Sequence, residues 1–296
     1  MNARWSLVTY RGGDGVALGA LDGDGTIVTV PDAVAGAGLM DVVDDWDRVR
    51  RELEGWSPAD GEPVAGAELL APLLYPRKLI CAGANYADHL EEMNIGAIPD
   101  PLEPFFFLLP PTTTIIGPGA PIRVPADPSW RVDWEAELAV VIGRRGRGIS
   151  AGQARAYVAG YTIVNDVSAR GRHRRANPLG PPFAFDWLGS KGADTFCPMG
   201  PGVTPDWLID DPHELGVRCT VNGELKQDGT TARMLNGVWR LIEAVSEAIT
   251  LEPGDVIATG TPAGVGAARG EQLADGDVVR IEIDGLGALE NPVTTG

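Results

Sequence analysis

The sequence predicts a mainly β protein of the α+β class, in which a small N-terminal α+β domain precedes a larger body. Short β-like runs outnumber helical patterns, and the two do not alternate as they do in βαβ units. A stretch rich in Pro, Gly and Ala, residues 58–76, separates the two parts. A length of 296 residues suits one large domain with a smaller one. We therefore expect domains at residues 1–72 and 73–296.

The N-terminal part is expected to be a β meander followed by a helix. Three short apolar runs, Trp5–Tyr10, Val16–Leu21 and Thr26–Val30, are separated by turns rich in Gly and Asp, which is hairpin chemistry. Apolar residues then recur at helical spacing from Met40 to Leu53, and Gly55 and Pro58 end that pattern.

The larger body is predicted to consist of many short strands and few helices. The clearest helical pattern covers Leu235–Ala248. The predicted strands are Lys78–Gly83, Phe105–Leu109, Glu135–Ile142, Ala156–Asn165, Val217–Val221, Val256–Thr259 and Val278–Ile283. The glycine fingerprints of nucleotide-binding loops are missing from the sequence, so no nucleotide cofactor is expected.

Composition narrows the partners and the compartment. The 24 basic and 41 acidic residues give a net charge of −17, which disfavours nucleic acid. No apolar run approaches the roughly 20 residues that span a bilayer, and no export signal is visible, so we expect a soluble cytoplasmic protein without a membrane partner. Cys81, Cys197 and Cys219 are too scattered for a disulfide framework or a zinc site.

Acidic residues cluster in one predicted strand. On a strand, Asp133, Glu135 and Glu137 point to the same side. Such a face is either solvated or a site for a hard cation, because packed carboxylates need a cation or protons between them. Asp166 follows another apolar strand, where it either caps the next turn or joins the first acids. Together these carboxylates would favour Mg²⁺, Mn²⁺ or Ca²⁺ over zinc.

A candidate general base lies in the segment 85–92. His89 and Glu92 are three residues apart, so on a helical turn the carboxylate could orient the imidazole. The alternative is a helix cap formed by Asp88 and Glu91, with His89 merely exposed.

Three further segments could contact a ligand, although each alone is typical of an ordinary turn or surface. Lys191 lies among small residues in the segment 189–195, and Thr261 lies in a hydroxyl-rich loop at 259–266 that could hold an anion. Arg170 begins a basic cluster, residues 170–175, that could attract a carboxylate substrate.

In their order along the chain, these segments resemble the fumarylacetoacetate hydrolase family. The resemblance covers about residues 78–292 and rests on six motifs in register. They are Gly-x-Asn-Tyr-x-x-His, Asp-Trp-Glu-x-Glu-Leu-Ala-Val-Val-Ile-Gly, Tyr-x-x-x-Asn-Asp-Val-Ser-Ala-Arg, Lys-Gly-x-Asp-Thr, Val-Asn-Gly-Glu and Thr-Gly-Thr-Pro-x-Gly-Val-Gly.

The resemblance implies a mixed β-roll, commonly a homodimer, with Mg²⁺ or Mn²⁺ as cofactor and Ca²⁺ as an ion that could replace them in crystals. The implied metal ligands are Glu135, Glu137 and Asp166. The implied catalytic residues are His89 with Glu92, which would activate water or move a proton, and Lys191, which would stabilise enolate charge. The implied substrate contacts are Tyr86, Arg170 and Thr261.

The expected function is a metal-dependent hydrolase that cleaves a carbon–carbon bond in an acylpyruvate-like or β-diketo acid through a stabilised enolate. One alternative is an isomerase or decarboxylase of 2-hydroxymuconate or oxaloacetate type on the same site. Another is a protein that binds an acidic metabolite without turnover. Gly171 follows Arg170 where the family often has Asp, and His173 stands near a position that is glutamine in some hydrolytic members. These departures leave substrate preference open.

Overall fold

The computed structural model describes residues 5–296 and confirms the mainly β, α+β class. Its first strands are β1 (Ser6–Gly12), β2 (Gly15–Leu21), β3 (Ile27–Thr29), β4 (Glu68–Leu69), β5 (Leu79–Gly83), β6 (Phe105–Leu109), β7 (Ile115–Ile116), β8 (Ile122–Val124) and β9 (Val132–Asp133). The later strands are β10 (Ala136–Ile142), β11 (Val158–Asn165), β12 (Ser168–Ala169), β13 (Cys197–Pro205), β14 (Gly216–Val221), β15 (Glu224–Thr230), β16 (Val256–Ala258), β17 (Val278–Ile283) and β18 (Gly287–Thr295). The α-helices are α1 (Leu39–Val42), α2 (Trp46–Leu53), α3 (Ala87–Glu92), α4 (Pro111–Thr114), α5 (Trp187–Lys191), α6 (Val238–Ala248) and α7 (Gly266–Arg269).

Two large sheets organise the described residues. The larger has 11 strands, in the order β3-β2-β1-β13-β11-β10-β16-β5-β6, with β4 added beside β1 and β7 beside β13. The second has five strands in the order β15-β14-β17-β18-β8, and β9 pairs with β12 in a small separate ladder. Antiparallel pairs dominate, with parallel pairs between β5 and β16, β7 and β13, and β8 and β18.

The N-terminal meander forms as predicted and joins the larger sheet through β1, where Leu7 pairs with Val203 of β13. The predicted helix over 40–53 is divided into α1 and α2 by a 3-10 turn at Val43–Asp45. The backbone of Asp45 lies outside the helical region (φ −117°, ψ 52°). Aspartate is favoured at helix ends over helix interiors, because its side chain competes for backbone hydrogen bonds. The division into domains at residues 72 and 73 stays a prediction.

Strand β13 lies near the middle of the large sheet, although its sequence does not predict it. Its nine residues include three prolines and two glycines, which normally mark turns. Gly202 is required there because a Cβ at this position would lie 2.5 Å from Ser6 Oγ and 2.6 Å from Leu7 O of the neighbouring strand.

Four adjacent strands bring separate parts of the sequence to one edge of the sheet. Strand β10 is completely buried and pairs with β11, so that Ala136 lies opposite Asn165. On its other side β10 pairs with β16, which leads into the loop 259–264, and β16 pairs with β5, which leads into α3. The described helices reach at most 11 residues, and none in residues 5–296 is long and apolar enough to cross a membrane.

Candidate active site

The acidic segment 132–143 is not the single strand that the sequence predicts. Strand β9 ends at Asp133 in the small ladder with β12, and β10 begins at Ala136 in the large sheet, so Trp134 and Glu135 connect two separate ladders. Asp133, Glu135 and Glu137 are only 0, 6 and 2% exposed. The alternative of a solvated acidic face is therefore wrong.

Glu135, Glu137 and Asp166 converge, and each offers a carboxylate oxygen within 4.8 Å of the other two. The backbone supports this arrangement, because Asp166 N–H donates to Glu135 O at 2.9 Å and Glu135 N–H donates to the side-chain oxygen of Asn165 at 3.0 Å. The carboxylate of Asp166 accepts from Lys191 and, among the described residues, from no backbone N–H, so it does not cap the following turn.

Two basic side chains contact this cluster. Lys191 Nζ lies 2.6 Å from Glu135 Oε2 and 2.7 Å from Asp166 Oδ2. The Arg170 guanidinium contacts Asp133 Oδ1 at 2.7 Å and Glu135 Oε1 at 2.6 Å. Asp133 therefore joins the cluster as a fourth carboxylate. When all six groups are ionised, the four carboxylates exceed the two basic side chains by two negative charges.

The pKa values follow from burial and from this charge distribution. Burial raises the pKa of Glu135, but Lys191 and Arg170 outweigh it and lower the pKa to about 2. Burial together with the charges of Asp166 and Glu135 raises the pKa of Glu137 well above its usual value. Burial raises the pKa of Asp166 to about 6 despite the opposing effect of Lys191. The charges of Asp166 and Glu135 raise the pKa of Lys191 although burial opposes this, so the amine stays protonated.

The three converging carboxylates fit a divalent metal ion. Their donor set consists of oxygen only, which hard cations prefer. Asp166 Oδ1 is buried and has no hydrogen-bond partner among the described residues. An unpaired buried carboxylate oxygen is costly, and the excess of two negative charges matches one dication. Glu135, Glu137 and Asp166 are therefore the residues that would hold the ion.

His89 and Glu92 form a hydrogen-bonded pair on α3. His89 Nδ1 lies 2.7 Å from Glu92 Oε1, and Glu92 Oε2 accepts the Gly264 N–H at 2.8 Å. This leaves Nε2 as the ring nitrogen without a hydrogen-bond partner among residues 5–296. The alternative cap does not form, because the residue before α3 is Tyr86, without a side-chain capping bond, and Asp88 accepts from His89 N–H.

The loop 259–264 orients the carboxylates. Gly260 N–H donates to Glu137 Oε2 at 2.8 Å, as Gly264 N–H does to Glu92. The Thr261 hydroxyl donates to Ala136 O and accepts from Gln227 Nε2, both within 2.9 Å. The hydroxyl of Thr261 is thus already paired with protein atoms, although the residue lines the cavity beside the carboxylates.

A cavity of about 160 Å³ brings most of the predicted residues together. Its walls include His89, Glu135, Glu137, Asp166, Arg170, Lys191 and Thr261. Glu92 lies behind His89, and Tyr86 is completely buried outside the lining, where burial and the charge of Glu137 raise the pKa of its hydroxyl. Tyr86 therefore lacks the exposed surface that the predicted contact with a substrate would need.

Sequence reasoning missed an aromatic wall of this cavity and one supporting amide. Phe107 and Trp187 stack with ring centroids 4.9 Å apart, and His173 meets Trp187 edge-on at 4.6 Å. Gln227 is buried, and its side-chain oxygen accepts Ala136 N–H at 3.0 Å. The Phe-rich strand was a signal for the wall, whereas nothing in the sequence distinguishes Gln227 from a surface residue.

Comparison with known protein families identifies the family to which the chain belongs. Residues 78–294 match the model described as the fumarylacetoacetate (FAA) hydrolase C-terminal domain. The chain belongs to the fumarylacetoacetate hydrolase family. The matched segment contains the three carboxylates, the His89–Glu92 pair, Arg170 and Lys191.

Relatives in this family are enzymes. A mitochondrial oxaloacetate tautomerase of Xenopus laevis is 48% identical over 227 residues, which covers 76% of this chain and 68% of the relative. The solved 5-carboxymethyl-2-hydroxymuconate delta-isomerase of Mycobacterium smegmatis is 39% identical, with a TM-score of 0.75 over 98% of this chain and 99% of that one. The family fold, a mainly β mixed roll, is confirmed by this likeness.

A third relative bears on the metal. The maleylpyruvate hydrolase of Sphingobium sp. SYK-6, solved with manganese(II) and pyruvate, is 30% identical, with a TM-score of 0.79 over 98% of this chain and 99% of that one. The chain is an enzyme of this family, so the alternative of a binder without turnover is not kept. The expected cytoplasmic location stays a prediction.

Proposed function

We propose that this enzyme moves a proton on a small 2-oxo acid, interconverting keto and enol forms in the manner of an oxaloacetate tautomerase. The observation that carries the proposal is that His89, hydrogen-bonded to Glu92 behind it, and three buried carboxylates line the same cavity. The frog tautomerase, at 48% identity, supports the reaction type.

Mg²⁺ or Mn²⁺ is the proposed ion on Glu135, Glu137 and Asp166. When bound, it would act as a Lewis acid toward the 2-oxo oxygen of the substrate and lower the cost of an enolate. Bound manganese in the maleylpyruvate hydrolase relative supports this choice.

The protein's own groups then have distinct tasks. In the keto-to-enol direction, His89 Nε2 takes the proton from the carbon next to the carbonyl and the enolate oxygen then receives that proton from Nε2, since Nδ1 is committed to Glu92. The enol-to-keto direction reverses both transfers. Glu92 fixes the ring orientation and tautomer. Lys191, kept protonated by two carboxylates, stabilises developing oxyanion charge. Arg170 holds Glu135 ionised through a direct ion pair and adds positive charge to the cavity wall.

The size of the cavity favours a short substrate. Its volume of about 160 Å³ is near that of an engineered cavity of about 150 Å³ that accepts benzene. A three- to five-carbon oxo acid therefore fills the part of the cavity beside the carboxylates. A longer acyl chain would have to extend past Met93 and Ile95, which also line the cavity.

Carbon–carbon bond hydrolysis of a diketo acid remains the second candidate. It uses the same stabilised enolate, with His89 activating a water instead of moving a substrate proton. The likeness to maleylpyruvate hydrolase favours it. Decarboxylation of an oxaloacetate-type acid would also produce such an enolate.

Product analysis separates these reactions. With Mn²⁺, enol oxaloacetate should lose its ultraviolet absorbance faster than in the same mixture containing the His89→Ala variant, without carbon dioxide release. A panel of 2,4-diketo acids examined by NMR tests hydrolysis, which gives pyruvate plus a carboxylic acid. Cleavage of a diketo acid combined with no acceleration of tautomerisation would replace the first proposal with the second.

We also propose that the protein is a homodimer, formed through the β6 face. Strand β6 ends the large sheet and exposes Phe105 and Leu108, and Leu188 of α5 adds another exposed apolar side chain. Exposed apolar edge strands favour pairing. Light scattering after size exclusion should show a dimer that Leu108→Glu converts to monomer, whereas Leu225→Glu on β15 should leave it intact. A wild-type monomer would contradict this.

A further inference from the structure

A second cavity, separate from the active site, is lined by four arginines. Its volume is about 750 Å³, and Arg50, Arg144, Arg145 and Arg155 are among its nine lining residues. They come from α2, the turn after β10 and the 3-10 helix Ala154–Tyr157. Such a concentration is notable because the chain has only 24 basic residues against 41 acidic ones.

Three of these guanidinium groups are held in place by protein contacts. Arg50 lies over the Trp207 ring at 5.2 Å, with Nη1 3.3 Å from the buried carboxylate of Asp206. Arg155 donates to the carbonyls of residues 206, 209 and 210 at 2.9–3.3 Å. Arg144 Nε donates to Asp47 at 2.7 Å. Arginines positioned in advance lose less entropy when they bind an oxyanion.

The fourth arginine, Arg145, makes no ion pair among the described residues, and it interacts with Glu252 only at longer range. Arg145 is exposed, and no carboxylate oxygen of residues 5–296 lies within 4.0 Å of its guanidinium. Three carboxylates, those of Glu54, Asp206 and Asp47, lie within 4.0 Å of the other three guanidinium groups, so the four arginines exceed them by one positive charge. A guanidinium fork matches the geometry of phosphate and carboxylate oxygens.

The two cavities do not communicate directly. They share no lining residue. Within β10, the five residue steps from Glu137 to Ile142 span roughly 16 Å at about 3.3 Å per residue, and Arg144 follows two residues after the end of the strand. A ligand in the second cavity therefore cannot touch the carboxylates of the active site.

We propose that this cavity binds a small organic polyanion with two or more phosphate or carboxylate groups. The volume exceeds that of a lone oxyanion and lies within the range of about 300–1,000 Å³ that is usual for small-molecule sites. Gln153 and Tyr157 in the lining supply an amide and an aromatic ring for the uncharged part of the ligand.

Isothermal titration of the full chain with pyrophosphate, ADP and citrate at low ionic strength tests the proposal. At least one anion should bind with a Kd below about 1 mM and bind more weakly as salt is added. Stronger binding of pyrophosphate or ADP would identify a phosphorylated ligand, and stronger binding of citrate a polycarboxylate.

Arg145→Glu should weaken that binding by at least about tenfold, because it removes a donor and reverses a charge. Arg145→Ala, a milder change, should weaken it less, and circular dichroism checks that both variants fold. The matched control is Arg123→Glu, since Arg123 is also exposed and its side chain makes no ion pair among the described residues. The proposal is overturned if no anion binds, if Arg145→Glu binds as wild type does, or if Arg123→Glu loses as much.

Discussion

Replacing Glu92 by glutamine should remove most of the activity while leaving metal binding intact. In the native pair, Glu92 accepts from both His89 Nδ1 and Gly264 N–H, at 2.7 and 2.8 Å. Glutamine has one accepting oxygen, so its amide group must face one of these donors. The conflict is relieved when His89 changes tautomer, which places the proton on Nε2 and removes the base from the cavity.

The magnitude follows from the hydrogen bond that is lost. A bond to a charged group contributes about 1.5–3 kcal/mol, which corresponds to about 10- to 160-fold in rate at 1.36 kcal/mol per factor of ten. Loss of general base catalysis extends this toward about 10²–10⁴-fold. We therefore expect kcat for oxaloacetate tautomerisation to fall by at least about 100-fold.

Steady-state kinetics with Mn²⁺ and titration of Mn²⁺ binding provide the assay. Glu91→Gln is the matched control, because Glu91 is the neighbouring exposed residue and makes only a 3.7 Å contact with Arg233. Activity of Glu92→Gln within about twofold of wild type, at unchanged Mn²⁺ affinity, would refute the role of the pair.

Three further predictions concern the metal and the fold. Glu137→Ala should abolish both Mn²⁺ binding and activity, whereas His89→Ala should abolish activity alone; calorimetry that finds unchanged Mn²⁺ affinity in Glu137→Ala would contradict the ligand assignment. Mn²⁺ affinity should weaken as the pH falls through about 6, because the raised pKa of Asp166 means that a proton then competes with the ion; titrations at pH 5 and 7.5 that give equal affinity would exclude this competition. Gly202→Ala should lower the free energy of unfolding by about 1–3 kcal/mol, because its Cβ has no room; Gly13→Ala, where nothing lies within 4 Å, is the control in urea denaturation, and equal losses would argue against close packing of β1 on β13.

Local patterns were sufficient where the chemistry depended on residues near in sequence. The spacing of His89 and Glu92 on one helical turn predicted a contact that the structure confirms at 2.7 Å. The meander and α6 followed from turn residues and periodicity, although α6 begins three residues later than predicted. In each case the deciding interaction spans only a few residues.

Features that depend on the tertiary environment were less predictable. Strand β13 looks like a turn region because glycine and proline usually weaken strands, yet close approach of β1 excludes a side chain at Gly202. The motifs implied that Thr261 and Tyr86 contact the substrate. In the structure, the Thr261 hydroxyl accepts a hydrogen bond from Gln227, and Tyr86 is completely buried. Contacts between residues so far apart in the sequence produce no periodic pattern from which they could be predicted.

The roles proposed for Lys191 and Arg170 depend on the number of cations in the cluster as much as on their positions. A third cation in the cluster would leave only one excess negative charge and weaken the attraction for a dication. A single cation would leave three, and more protons would then compete with the ion. With two cations, Glu135 stays ionised at a pKa of about 2 while Glu137 and Asp166 carry raised pKa values. We therefore expect a divalent ion to displace protons from Glu137 and Asp166 when it binds, while in the proposed mechanism Lys191 keeps its positive charge for the oxyanion of the substrate.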